Sequence, residues 1–195
     1  RSPVLEKLAG DEPVTIVFFG DSITAMSGDE FADGRGSFVD RFVEYLHERY
    51  PGRKTVRGKR DEDLAPRSGE LAVINSGVGG DDTRRALRRF EDDVLSHRPD
   101  LVVVMFGVND ENRAGDANAV PVDDYRKNLA KMVDPLRERG AGVILMTPSM
   151  KNLRWSATAG NMHEYAAAMR DVAKSKQVAL VDAYAAWKRL PDRGY

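Results

Sequence analysis

Short apolar runs alternate with longer amphipathic stretches along this chain, and that alternation constrains its fold more than any other feature. The runs are rich in Val and Ile and too short for helices, and they cover residues 14–19, 71–74, 101–106, 143–146 and 178–181. Between them, apolar residues recur at helical spacing. Such alternation is typical of parallel strands joined by right-handed helical crossovers. The sequence therefore predicts an α/β fold with three α/β/α layers and a flavodoxin-like, doubly wound sheet of about five parallel strands.

The chain length of 195 residues suits one globular domain, and we find no linker or internal repeat that would divide it. We therefore expect residues 1–195 to form a single domain. The polar stretch of residues 53–70 is interpreted as an excursion before the second predicted strand. A final helix is predicted to begin near Ala183, with Asp182 as its N-cap, and to end before Pro191.

Composition excludes several classes of function. A formal net charge of -1 gives no global field that would attract nucleic acid or an anionic membrane. The absence of cysteine rules out disulfides, thiol catalysis and thiolate metal sites. No apolar stretch approaches the roughly 20 residues of a membrane span. We expect a soluble protein, either cytoplasmic or secreted with its signal removed, and the sequence does not indicate its oligomeric state.

One basic cluster could suggest a nucleic-acid site. It contains Arg84, Arg85, Arg88 and Arg89, and it lies beside Glu91, Asp92 and Asp93. Mixed-sign runs at helical spacing are usually exposed, so we interpret the cluster as the solvated face of a helix.

Polar, glycine-rich segments follow three consecutive predicted strands. The first is Gly20-Asp21-Ser22, the second runs from Asn75 to Thr83, and the third is Gly107-Val108-Asn109-Asp110. The carboxyl ends of parallel strands lie at one edge of a sheet, so these segments should meet there. We expect the site in the crevice between the first and third predicted strands, where the chain reverses direction across the sheet.

The residue types in these segments suit acyl transfer, which needs a nucleophile, donors for the developing oxyanion and a general base. Ser22 offers a hydroxyl. Gly80 is expected to open the helix after the second strand and to present its N–H at the positive helix end. Asn109 offers an amide donor that stays neutral at every working pH. Taken alone, each segment also fits an ordinary turn or a capped helix start, but their occurrence together and in order favours a catalytic site.

These segments resemble three sequence blocks of the SGNH or GDSL family of serine esterases and lipases. The matching residues are Gly20-Asp21-Ser22, Asn75-x-Gly77-x-x-Gly80 and Gly107-Val108-Asn109-Asp110, and the resemblance extends from Val14 to about Trp187. It implies that Ser22 is the nucleophile. It also implies that Gly80 and Asn109, with the backbone N–H of Ser22, form the oxyanion hole. The family further implies the three-layer fold, with no cofactor and no metal.

The fourth block of that family, an Asp followed three residues later by His, does not occur in the sequence. Near the end of the sequence, Asp192 is followed three residues later by Tyr195, which stands at the position of the histidine. A phenol with a pKa near 10 is a poor base at neutral pH. Asp182 is interpreted as a helix cap rather than as the acid of a triad. We expect that the natural protein continues beyond Tyr195 and that the general base His and its Asp lie in that continuation.

The three histidines of the sequence are interpreted as structural residues. His47 falls on the exposed side of a predicted helix, and His97 is expected to finish a helix and interact with its negative end. His163 is expected at the start of another helix, where it could also line the edge of the crevice.

The sequence thus predicts a serine ester hydrolase that acts through an acyl-enzyme on short-acyl esters or acetylated carbohydrates. The alternative is a non-catalytic ligand- or carbohydrate-binding module that has lost its base. A flavin or nucleotide carrier is disfavoured, because Asp21 places negative charge in the first loop and no phosphate-binding glycine motif is complete. Trp155 either stacks on a sugar ring or anchors the start of a helix.

Overall fold

Eight β-strands are present in the computed structural model, which describes residues 3–26, 37–150 and 156–190. In chain order they are β1 (Val14–Gly20), β2 (Lys54–Lys59), β3 (Glu70–Gly77), β4 (Leu101–Met105), β5 (Arg113–Ala114), β6 (Ala117–Asn118), β7 (Gly142–Met146) and β8 (Ala179–Val181). Six of them form one parallel sheet in the order β2-β3-β1-β4-β7-β8, and β5 and β6 form a small antiparallel hairpin.

The five predicted strands correspond to β1, β3, β4, β7 and β8, and their spatial order confirms the flavodoxin-like, doubly wound arrangement. The chain leaves β1 to build β2 and β3 on one side, and then crosses to β4 on the other. In the register, Gly20 at the end of β1 is level with Gly77 of β3 and with Met105 of β4. The reversal therefore falls at the end of β1, between β1 and β4.

The interpretation of residues 53–70 as an excursion was wrong in part, because Lys54–Lys59 forms the edge strand β2, parallel to β3. The sheet consequently has six strands rather than about five. Four of the six residues of β2 are Lys, Thr or Arg, and none is fully buried. An edge strand tolerates such charged residues, which also discourage edge-to-edge association, so it lacks the apolar run that identifies a central strand.

Seven helices are present among the described residues, and the predicted apolar stripes fall on four of them. The helices are α1 (Pro3–Ala9), α2 (Ser22–Ala25), α3 (Phe38–Arg49), α4 (Thr83–Asp93), α5 (Val122–Glu138), α6 (Met162–Lys176) and α7 (Ala183–Lys188). The predicted final helix is confirmed as α7, and Asp182 caps it by accepting a hydrogen bond of 3.1 Å from the N–H of Ala185. None of these helices combines the length and apolarity needed to cross a lipid bilayer.

The core consists of two apolar layers, one on each face of the sheet. Successive side chains of a strand point to opposite faces, so Val17 and Phe19 of β1 pack with α4, α5 and α6. Ile16 and Phe18 pack with α1 and α3 on the other face. This confirms the three α/β/α layers and makes β1 a rigid, fully buried support for the residues that follow it.

Candidate active site

The first strand-end segment places a serine at the surface on a buried support. Asp21 follows β1 directly, is fully buried, and caps α2 by accepting a hydrogen bond of 2.9 Å from the N–H of Ile23. Ser22 is the first residue of α2 and is exposed. The helix cap therefore fixes the backbone on both sides of Ser22 while its side chain faces outward from the protein.

The end of β3 holds α2 in place by close contact. The Asn75 amide donates to the carbonyl of Thr24 at 2.7 Å, and its oxygen accepts from the N–H of Gly77 at 3.0 Å. A side chain at Gly77 would overlap the backbone of Ala25, so α2 can approach β3 this closely only because residue 77 is glycine. Asn75 belongs to the motif quoted above, but its role in supporting α2 was not predicted.

The second segment differs from its prediction at one point. Helix α4 begins at Thr83 with Asp82 as its N-cap, so Gly80 precedes the cap by two residues and does not open the helix. Gly80 is exposed and has a φ of 76°, a left-handed conformation that favours glycine. The N–H of Gly80 is thus presented by a tight turn rather than by the first turn of α4.

The third segment is connected to the second by side-chain hydrogen bonds. The Asn109 amide donates to the backbone carbonyl of Asp81 at 2.8 Å. The Asp110 carboxylate accepts from the N–H and the hydroxyl of Thr83, at 3.0 and 2.5 Å. The first segment is in turn linked to the second by a 3.1 Å bond from the N–H of Val78 to the carbonyl of Gly20. All three segments are therefore joined at one edge of the sheet, as the sequence predicted.

Two buried carboxyl groups in these segments have raised pKa values. Burial raises the pKa of Asp21 to about 7; nearby Asp110 and Asp81 add to the rise, and the bond from Ile23 opposes it. Burial likewise raises the pKa of Asp110 to about 6, against the lowering effect of its bonds from Thr83. Both acids consequently hold their protons to a much higher pH than a carboxyl in water, which limits the negative charge beneath the site.

The three histidines lie in helices or turns. His47 is exposed on α3, and His163 is exposed in the first turn of α6. His97 ends a 3-10 turn after α4, with its Nε2 3.0 Å from the carbonyl oxygen of Arg60. Trp155, Asp192 and Tyr195 lie outside the described residues. Within the described part of the chain, no group of three or more His, Cys, Asp or Glu side chains is arranged to hold a metal ion.

The interpretation of the basic cluster as a solvated face was correct for three arginines and wrong for Arg89. Arg84, Arg85 and Arg88 are exposed, whereas the side chain of Arg89 is only 15% exposed and reaches the ends of β1 and β3. One feature of the sequence indicated that Arg89 is less exposed than the others: it lies at the border of the apolar stripe of α4, directly before Phe90.

A family model, two relatives and a solved structure that match this chain are all described as esterases, lipases or acylhydrolases. The family model of the GDSL-like lipase/acylhydrolase family matches residues 18–195. An acetylxylan esterase of Geobacillus stearothermophilus is 29% identical over 181 residues, which are 90% of this chain and 78% of that protein. Esterase TesA of Pseudomonas aeruginosa is 30% identical over 132 residues, covering 68% of this chain and 53% of that protein. The crystal structure of a lipase/acylhydrolase from Enterococcus faecalis superimposes with a TM-score of 0.68 at 29% identity, covering 92% and 80% of the two chains.

Proposed function

The chain belongs to the GDSL-like lipase/acylhydrolase family, and from that membership we propose that it hydrolyses short-acyl esters, with acetylated carbohydrates as its substrate class. Relatives of this chain are named as esterases, so the general activity is that of a carboxylic ester hydrolase. The observation that carries the proposal is the joining of three strand-end segments at one edge of the sheet, the first of which holds an exposed serine on a buried support.

In the proposed mechanism, the hydroxyl oxygen of Ser22 attacks the ester carbonyl carbon and its proton passes to a general base. The resulting oxyanion accepts hydrogen bonds from the backbone N–H groups of Ser22 and Gly80 and from the side-chain amide of Asn109. The tetrahedral intermediate then expels the alcohol, which takes up the proton, and leaves an ester on Ser22. Water hydrolyses that ester, releases the acid and restores the serine. Each oxyanion donor is expected to supply about 2.7–4 kcal/mol of transition-state stabilisation.

The base is essential to this scheme, because a serine hydroxyl stays protonated at neutral pH and is then a weak nucleophile. We assign that role to none of the three histidines: His47 and His163 are exposed on helices, and Nε2 of His97 lies against the carbonyl oxygen of Arg60. Without a base, only the rate supplied by binding and the oxyanion hole would remain.

The surroundings of α2 support a polar substrate over a long acyl chain. A groove of about 500 Å³ lies beside Ala25 at the ends of β2 and β3. Charged side chains line much of it, among them Arg57, Lys59 and Glu62. A groove of this chemistry can hydrogen-bond to sugar hydroxyls, whereas a fatty acyl chain would remove water from charged side chains and offer them no hydrogen bond in return.

The test is hydrolysis of p-nitrophenyl esters of increasing acyl length, together with acetate release from acetylated xylan. We expect the highest kcat/KM with acetyl or propionyl esters, measurable acetate release, and loss of both in Ser22→Ala. A fluorophosphonate probe should label Ser22, with the site identified by mass spectrometry of the labelled peptide. Preference for long acyl chains would contradict the substrate class. Binding of acetylated xylan with neither hydrolysis nor labelling would contradict the enzyme itself.

A further inference from the structure

We propose that Arg89 is a positioning residue of this site: its guanidinium holds the ends of β1 and β3 and the Asp81 turn in the geometry that hydrolysis requires. The inference rests on the proposed function, and it assigns Arg89 no contact with substrate. Its basis is one largely buried side chain that binds the strand end preceding Ser22, the end of β3 and the turn that holds Gly80 and Asp81.

The guanidinium of Arg89 makes four hydrogen bonds, three to segments outside α4 and one within α4. Nη2 donates to the carbonyl of Gly20 at the end of β1, at 3.1 Å, and Nη1 donates to the carbonyl of Ser76 near the end of β3, at 2.8 Å. Nε donates to the carboxylate of Asp81 at 2.6 Å. Nη1 also donates to Asp93, one turn further along α4, at 2.8 Å. The side chain thus bridges two strands, one turn and one helix.

This arrangement suits arginine and no other residue. The planar guanidinium has five N–H donors in a fixed fork, so it can serve several acceptors at once, whereas the lysine ammonium is a single compact charge. The side chains of Arg89 and Asp81 are only 15% and 9% exposed, so water competes little for these bonds. The guanidinium carbon also lies 4.5 Å from the centre of the buried Phe19 ring, which holds the cation against the core below β1.

Through these partners Arg89 is connected to each proposed catalytic group. Gly20 precedes the Asp21-Ser22 pair, so a hydrogen bond to its carbonyl fixes the peptide plane from which the nucleophile turn starts. Asp81 follows Gly80, and the carbonyl of the same Asp81 accepts the hydrogen bond from Asn109. Loss of the Arg89–Asp81 ion pair would therefore release both proposed oxyanion donors together, and a displacement of about 1 Å can lower a rate about a hundredfold.

The experiment compares Arg89→Lys with Arg88→Lys in the full chain, with p-nitrophenyl acetate as substrate. Arg88 is the matched control, because it is the preceding residue of α4 and is exposed. We expect Arg89→Lys to lower kcat about tenfold or more while KM stays within about twofold, because groups misplaced for the transition state affect kcat. Arg88→Lys should change neither constant. A folded Arg89→Lys protein with a lower Tm and an unchanged kcat would overturn the inference.

A second variant tests the Arg89–Asp81 ion pair if the Arg89→Lys protein does not fold. Asp81→Asn keeps the shape of residue 81 and its backbone carbonyl, but removes the charge that Arg89 binds. We expect it to lower kcat in the same way, and an unchanged kcat in the folded Asp81→Asn protein would contradict the proposal. Where Arg89→Lys does fold, the double variant should lose less than the product of the two single losses, since both substitutions break one interaction. Independent, multiplicative losses would contradict the proposed connection.

Hydrogen exchange separates failure of this inference from failure of the proposed function. If the unaltered protein hydrolyses no ester, the proposed function fails, and exchange then decides the role of Arg89. Faster exchange in Arg89→Lys confined to residues 20–25 and 77–82 would support positioning. Equal exchange in both proteins would overturn it.

Discussion

The side-chain amide of Asn109 donates a hydrogen bond to the backbone carbonyl of Asp81, with 2.8 Å between Nδ2 and the oxygen. An amide nitrogen carries two hydrogens, so one bond to Asp81 fixes the direction of the other. A donor oriented before the substrate binds needs no reorganisation when negative charge develops. This orientation supports the proposed role of Asn109 as an oxyanion donor.

Replacement of Asn109 by alanine is expected to lower kcat for p-nitrophenyl acetate about 10²–10³-fold with little change in KM, which is the effect of losing one oxyanion donor. The matched control is Asn118→Ala. Asn118 follows Asn109 on the same connection and donates to the carbonyl of Glu111 and to Asn161, so its loss should affect stability alone. A raised KM with an unchanged kcat in Asn109→Ala would instead indicate a role in substrate binding.

Two glycines of the second segment, Gly77 at the end of β3 and Gly79 in the turn after it, should respond differently to alanine. A methyl group at Gly77 would overlap the backbone of Ala25, while at Gly79 it would meet nothing within 4 Å. Gly77→Ala must displace α2, so we expect it to lower both the free energy of unfolding, by about 1–3 kcal/mol, and kcat. Gly79→Ala should leave both near the values of the unaltered protein. Urea unfolding and steady-state kinetics measure the two effects, and equal behaviour of the two variants would refute the close packing of α2.

Asp21 should make stability decrease as pH rises from about 4 to about 7. Its pKa is raised from 3.8 to about 7, so between these values the folded chain holds a proton that the unfolded chain has lost. The free energy of unfolding then falls with rising pH and levels off above about 7. Asp21→Asn retains the acceptor for Ile23 and cannot ionise, so it should reduce this fall by roughly 2–4 kcal/mol.

Urea unfolding at pH 5 and pH 8 tests the effect of Asp21. Asp110, whose pKa is raised to about 6, acts with the same sign between about pH 4 and 6, so part of the slope should remain in Asp21→Asn. Identical slopes in the two proteins would show that Asp21 is ionised in the folded state throughout this range.

Arg53 is expected to matter for stability and not for catalysis. Its buried guanidinium lies at the amino ends of the strands and donates to the carbonyls of Lys7, Glu12 and Glu70, among others. Arg53→Lys would leave several buried carbonyls unpaired, at a cost of about 2–4 kcal/mol. The neighbouring exposed pair of Lys54 with Glu70 is a suitable control, because its loss should cost less than about 1 kcal/mol. A lower kcat of the folded Arg53→Lys protein would contradict the separation of the two ends of the sheet.

The central strands and the position of the site were predictable, because both depend on local patterns. Buried parallel strands are continuous apolar runs, and polar residues at their ends must collect at one edge of the sheet. The edge strand β2 was not predictable in this way, since only one of its edges is paired and its residues are mostly polar.

The contacts that support the site were not predictable, because they join residues distant in sequence. Nothing in the sequence near Arg89 shows that it reaches Gly20, and nothing near Asn109 shows that its amide binds Asp81. The sequence prediction placed Gly80 at the start of a helix, because a glycine turn and a helix start have similar local sequences. The structure distinguishes the two, since the N-cap of α4 is Asp82.

The register of the sheet has a consequence for how the protein is made. β1 is synthesised before the other strands of this sheet, yet it pairs with β3 on one side and with β4 on the other, so that Val14 lies beside Leu71 and Ile16 beside Leu101. Until β4 has been synthesised, this mostly apolar strand has an open edge. Folding must therefore close long loops before the central strand is covered, which makes it slow and exposes nascent chains to aggregation. The strand that supports Ser22 precedes the rest of this sheet in the chain, and its second edge stays open until β4 follows.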